Sequence, residues 1–236
     1  MVNVLLICIL QKKLNLCEVV GIMMNLPNID YKKINTSPTI DSETSSYTLP
    51  FYKDIEYFSN LDNFVSFVKS VENLVRTSKY YSRYIAYIKN DIGLNFCQVL
   101  SNIKQEDETS KVEIEMHHGP ILTLFDYICI LIDWSLIHDK KITSFNIANR
   151  MLEEHFNNNV QVVMLSKTVH EEVHDNNVFL NTKHAFGDLN GFLSKYKDGL
   201  SQEQIDKVNR YIDLCEKYDS FDKGTLTLRE NIKKWS

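Results

Sequence analysis

The sequence predicts a mixed α+β protein that is mostly helical and has two short strands. Hydrophobic residues recur at helical spacing through most of the chain after residue 49. Residues 111–116 instead alternate strictly between polar and apolar side chains, which is typical of a strand with one buried face. Residues 160–165 form an apolar run that leads through a serine into another helical pattern, which predicts a strand followed directly by a helix.

Composition limits the classes of protein that the chain can represent. The 236 residues, 44% of them hydrophobic, can bury one good core or a core and a small second module. A net charge of −5 argues against a protein that coats nucleic acid by neutralising phosphates, although a locally basic cleft remains compatible with it. The five cysteines form no CxxC pair, which argues against a thiolate zinc site and is typical of a reducing compartment.

Changes in pattern along the chain predict four regions. They are an N-terminal extension and linker (1–48), a helical region (49–104), a strand-containing region (105–190) and a C-terminal helical segment (191–236). The apolar run Val2–Leu10 is too short to span a bilayer and does not resemble a signal peptide, so we expect no membrane association. Residues 1–22 are either an upstream extension of the reading frame, with Met23 as the natural start, or a buried terminal strand.

The helical region contains a cluster of tyrosines with basic residues between them. Residues 61–75 show an amphipathic helix, and a second helical pattern follows over 80–88. The tyrosines of the second helix, with Arg76, Lys79 and Arg83 nearby, could stack against and neutralise a nucleic acid strand. The alternative, which we prefer, is a helix pair that packs its aromatic face into the core.

The first predicted strand ends in two adjacent histidines. Strict alternation would send His117 and His118 to opposite faces of the sheet. Gly119-Pro120 follows immediately and should break the strand, which would let both rings turn toward one site. We take His138, His155 and His184 to be ordinary surface or boundary residues; they are not part of this site.

The second histidine motif lies on the helix that follows the second strand. Ser166 is expected to cap this helix, which carries His170 and His174 four residues apart and therefore on one face. Neutral imidazoles are good ligands for borderline divalent ions. With His117 they would make three protein ligands and leave a position open, and His118 beside them could take a proton from water.

In this order the two motifs resemble the HNH endonucleases, the His-Me finger or ββα-metal family. Glu115-Met116-His117-His118 is similar to the family's strand ending in His-His, and Val162–His174 is similar to its second strand and His-x-x-x-His helix. The resemblance implies that His118 is the general base and that His117, His170 and His174 hold one divalent ion (Mg, Mn, Ni or Zn). It also implies hydrolysis of DNA phosphodiester bonds, in the cytoplasm of a bacterial or phage-infected cell.

Two features depart from the family pattern. Gln161 stands where the family usually has an asparagine, and Asn159 lies two residues upstream, so either amide is a candidate for orienting the base. His118 and Gln161 are 43 positions apart (161 − 118), longer than a typical family loop. The resemblance therefore implies a mostly helical α+β protein with a ββα-metal-like finger that carries inserted helices, at 124–137 and 144–156.

Two other functions fit the same region. The helices at 124–137, 144–156 and 166–175 and a hairpin at 178–186 have the order of a winged helix-turn-helix protein. Lys167 and Thr168 would then face the DNA major groove and Lys183 would lie in the wing, but the two adjacent histidines would have no role. The third possibility is a catalytically inactive phage structural or interaction protein that inherited a nuclease-like finger.

Overall fold

The computed structural model describes residues 52–105, 112–218 and 223–235, and the expectations for residues 1–48 lie outside these ranges. The described helices are α1 (Ile55–Phe58), α2 (Leu61–Thr77), α3 (Lys79–Asn90), α4 (Leu124–Ile137), α5 (Ser144–Phe156), α6 (Lys167–His174), α7 (Leu189–Tyr196), α8 (Gln202–Tyr218) and α9 (Lys223–Trp235). The described strands are β1 (Ile114–His118) and β2 (Val162–Ser166). The α+β class and its mostly helical character are confirmed.

Short-range side-chain bonds define where the central helices begin. Thr123 and Asp126 form a reciprocal capping box at the start of α4, and the Thr143 hydroxyl accepts a bond from the third residue of α5. Both starts agree with the sequence prediction. Ser166 precedes α6 as predicted, but its side chain makes no capping bond within the described structure. Ser166 is also the last residue of β2, where it pairs with Ile114.

The two strands form an antiparallel pair across a helical crossover. Ile114 lies opposite Ser166 and His118 lies opposite Val162, with α4 and α5 inserted between the strands. Every residue of β2 is buried, whereas β1 alternates between buried and half-buried positions. The order β1–α4–α5–β2–α6 therefore has the predicted two strands and following helix, with two helices inserted.

One hydrophobic core joins the helical region to the sheet. It extends from Phe58 in α1 to Ile232 in α9, and α2 packs against both α4 and α5. Tyr81 and Tyr84 of α3 are buried in this core, which supports the packing interpretation of the tyrosine cluster. None of the helices in the described ranges has the length and apolar character that a membrane crossing requires.

The segment after α6 differs from the winged-helix expectation. Residues 182–184 form a single turn of 3₁₀ helix where the wing hairpin was expected. The Asn181 side chain stabilises this turn by accepting a bond from the Lys183 amide, and Phe186 pairs with Val162 instead of with a neighbouring wing strand. The predicted wing is therefore wrong, because this segment is attached to the edge of β2.

A candidate metal centre on β1 and α6

Three of the sequence-predicted histidines come together in space. One ring nitrogen each from His117, His170 and His174 lie within 4.8 Å of one another. The Nε2 atoms of His170 and His174 are 3.1 Å apart, and the His117 ring centroid is 5.0 Å and 5.2 Å from theirs. Two nitrogens bound tetrahedrally to one ion at about 2.0–2.1 Å would lie about 3.3–3.4 Å apart. The His170 and His174 pair therefore has nearly the spacing that a shared ion requires.

Sheet register and chain connectivity explain this convergence. His117 is on the half-buried face of β1, opposite Val163 of β2. Because α6 begins at the residue after β2 and packs against both strands, its histidine face covers His117. Gly119 lies beside the same ring, and a Cβ atom there would be 3.0 Å from two atoms of the His117 imidazole. The absence of a side chain at Gly119 thus leaves room for the ring.

Glu115 orients one of these histidines, a role that the sequence prediction missed. Its Oε2 atom lies 2.6 Å from Nδ1 of His170, so Nδ1–H donates to the carboxylate and Nε2 is the ring nitrogen left to bind an ion. Carboxylates commonly hold metal-binding histidines in this way. The available signal was strand periodicity, since Glu115 is two residues before His117 and shares its face of β1.

The electrostatic surroundings keep His117 neutral near pH 7. Burial lowers the pKa of His117 to about 4, with further contributions from the nearby rings of His170 and His174 and from the Arg76 guanidinium. A neutral imidazole has a free nitrogen lone pair. His117 therefore has the protonation state that binding a cation requires.

His118 lies on the opposite face of the strand from the cluster. It is only 6% exposed, and its Nε2 atom is 2.9 Å from Nε2 of His155. The expectation that Gly119-Pro120 would turn both rings toward one site is wrong, because β1 continues through His118, which still pairs with Val162. Strand alternation therefore separates the two adjacent histidines.

His155 is a buried partner of His118; its prediction as a surface or boundary residue is wrong. The residue is fully buried in α5, and its Nδ1–H donates to the Met151 carbonyl 2.7 Å away. Its Nε2 atom is then the acceptor for Nε2–H of His118. Burial lowers the pKa of His155 to about 4 and that of His118 well below its usual value, so both rings are neutral.

Neither amide predicted to orient a base is bonded to His118. The Asn159 side chain donates to Glu154 over 2.6 Å, and the backbone amide of Gln161 donates to the Tyr127 hydroxyl. The side-chain oxygen of Gln161 is buried and has no hydrogen-bond partner in the described parts of the chain. Neither side-chain amide therefore forms a catalytic pair with His118.

The three residues predicted to contact DNA are exposed. Lys167 and Thr168 lie in the first turn of α6, and Lys183 lies in the 3₁₀ turn after this helix. Glu171 and Asp175 on and after the same helix are also exposed, so the surface has mixed charge. A DNA-binding role for these residues stays a prediction.

The fold and the cluster together define a mostly helical α+β protein with three histidines converging between a strand and the helix that covers it. Residues 11–234 match the model of the family described as bacteriophage G278-like virion protein. The chain belongs to this family. Comparisons with curated proteins and with solved structures find no match.

The family assignment corrects the HNH interpretation. The match extends over nearly the whole chain, whereas the endonuclease resemblance covered only residues 115–174. The identification as an HNH endonuclease, and with it the function of DNA-hydrolysing nuclease, is wrong. The two histidine motifs are short, and the proposed base, His118, is not beside the three predicted ligands.

Proposed function

We propose that this protein is a structural or interaction component of the phage particle. The observation that carries the proposal is the match of residues 11–234 to a family of virion proteins. This role is the third possibility that the sequence left open, and it replaces DNA hydrolysis as the function.

The core and the net charge of the chain bear on the kind of partner that this component has. A single core includes residues from α1 to α9, so the helical region and the sheet are packed as one unit. The net charge of −5 favours contacts with other proteins of the particle over binding to packaged DNA through phosphates. We therefore propose protein partners, with the phage particle as the location of the chain.

The direct test is the presence of the protein in purified particles. Particles from a lysate are separated on a density gradient, and peptides of this chain are quantified by mass spectrometry in each fraction. We expect a constant ratio to the major capsid protein across the particle peak, maintained after a high-salt wash. An abundant host enzyme serves as the control for trapped cytoplasm. Recovery only in the unsedimented fractions would contradict the proposal.

A genetic test separates an assembled component from an adsorbed one. A nonsense codon is introduced early in the gene, and the intact gene is supplied from a plasmid as the matched control. We expect fewer infectious or complete particles without the protein and recovery with the plasmid. An unchanged yield, composition and infectivity of particles that lack the protein would argue against a structural contribution.

A further inference from the structure

We propose that His117, His170 and His174 bind one divalent ion of the zinc class, and that this ion fixes α6 against β1. The inference goes beyond the role in the phage particle and does not depend on it. The site is structural: the ion would join β1 to α6, the helix that follows β2.

The spacing of the nitrogen atoms carries the first step of the argument. The two Nε2 atoms on α6, 3.1 Å apart, already lie within about 0.3 Å of the separation expected for two ligands of a tetrahedral ion. All three ligand nitrogens lie within 4.8 Å of one another. His117 and His170 are half-buried and His174 is exposed, so rotation of the rings can bring the third nitrogen closer without disturbing the core.

The kind of donor determines the kind of ion. The set found in the described ranges consists of three imidazole nitrogens, with no carboxylate oxygen among them. Imidazole suits zinc, nickel, copper and similar ions, whereas Mg²⁺ prefers oxygen ligands and retains much of its water. The donor set therefore narrows the four ions expected from the sequence to the zinc class. Because His174 is exposed, water can reach the ion and fill the remaining position.

Glu115 makes the cluster a prepared site. Glu115 accepts a hydrogen bond from Nδ1–H of His170, and this bond orients the ring so that Nε2 faces His174. Without an ion, one N–H···N hydrogen bond between His170 and His174 would account for the same 3.1 Å separation. The experiment must therefore distinguish a metal site from a hydrogen-bonded histidine pair.

Titration of the full-length protein with Zn²⁺ makes this distinction. The protein carries no histidine tag and is first freed of metal with a chelator. Calorimetry should give one saturable site per chain, with Mg²⁺ unable to compete, and Co²⁺ should give the visible absorption spectrum of a tetrahedral complex. Hydrogen exchange in residues 167–174 should slow when Zn²⁺ is added.

Three single variants test the assignment of residues. His174→Gln removes an exposed ligand and should fold normally, so we expect Zn²⁺ affinity to fall at least 100-fold. Glu115→Ala removes only the orienting carboxylate, and we expect a loss of about 10- to 100-fold. His138→Gln removes a histidine at the end of α4, beside Asp198, and should bind Zn²⁺ as the wild type does.

The proposal has clear contrary outcomes. Absence of a saturable site, or equal Zn²⁺ affinity in the wild type and His174→Gln, would overturn it and leave the hydrogen-bonded pair as the explanation. A similar loss of affinity in His138→Gln would show dispersed surface binding instead. The titration uses isolated protein, so a negative titration would not affect the proposed role in the phage particle. Absence of the protein from purified particles would likewise not affect the proposed metal site.

Discussion

The buried pair of His118 and His155 should make the protein unstable in acid. Both rings are enclosed in the core and are neutral in the folded state. In the unfolded chain each would have an ordinary pKa of about 6.5. Because the folded pKa values are lower, the stabilisation is fully present above pH 6.5 and is lost as the pH falls from there to about 4.

The size of the effect follows from the shift of His155. A fall of its pKa from 6.5 to about 4 corresponds to about 3 kcal/mol, at about 1.4 kcal/mol per pH unit. Burial lowers the pKa of His118 as well, and the unfolded chain binds a proton at each ring, so this figure for His155 alone is a minimum for the pair. A loss of about 3 kcal/mol is a large part of the roughly 5–15 kcal/mol that stabilises an ordinary domain.

The assay is urea unfolding at a series of pH values from above 6.5 down to 4, in the presence of a chelator. The wild type is compared with the double variant His118→Phe/His155→Leu, which replaces the paired rings with apolar side chains. We expect the free energy of unfolding of the wild type to decline more steeply with acid than that of the variant. Parallel curves for the two proteins would refute the reasoning, because the same remaining groups titrate in both.

Three other predictions concern single positions. Glu154 is fully buried and accepts bonds from Lys195 (2.5 Å) and Tyr196 (2.6 Å). Lys195→Ala leaves a buried carboxylate without its cation and should cost about 3–5 kcal/mol in urea unfolding, whereas Lys195→Arg keeps the positive charge and should cost less; equal costs would contradict this. Gly93 and Gly187 both have positive φ, but only at Gly187 would an added Cβ atom overlap backbone, at the Val160 carbonyl. In urea unfolding, Gly93→Ala should therefore lower the free energy of unfolding by about 1–2 kcal/mol and Gly187→Ala by clearly more. A smaller loss at Gly187 than at Gly93 would contradict this. Burial raises the pKa of Asp133 from 3.8 to about 7, so its charged carboxylate destabilises the fold most above pH 7 and progressively less as the pH falls toward 3.8. Asp133→Asn should therefore raise the free energy of unfolding in urea by about 1–3 kcal/mol above pH 7, after allowance for partial exposure. An equal gain at low pH would argue against this origin.

The secondary structure was predictable because its signals are local. The alternation before His117 and the apolar run before Ser166 both lie in strands, and the helices predicted at 124–137 and 144–156 have those bounds in the structure. The three candidate ligands were predictable for a similar reason. A strand end and an i, i+4 pair each place a side chain within one element, and antiparallel pairing of the two strands brings the elements together.

The partners of these residues were not predictable because they depend on distant contacts. Glu115 meets a histidine 55 positions later in the chain, and His118 meets one 37 positions later. Neither spacing corresponds to a helical or strand period, so no pattern in the sequence connects the pairs. Only the crossover through α4 and α5 brings α5 against β1 and places His155 next to His118.

The resemblance to a nuclease failed at one structural step, the orientation of His118. An HNH-type reaction needs a ligand and a base at the same ion, with the base within hydrogen-bond distance of the attacking water. In a paired strand adjacent side chains point to opposite faces, so two consecutive histidines can serve one site only if the strand ends between them. Here β1 remains paired with β2 through His118, which places His117 in the cluster and His118 in the core. The same two-residue motif therefore supplies a candidate metal ligand and a buried packing residue.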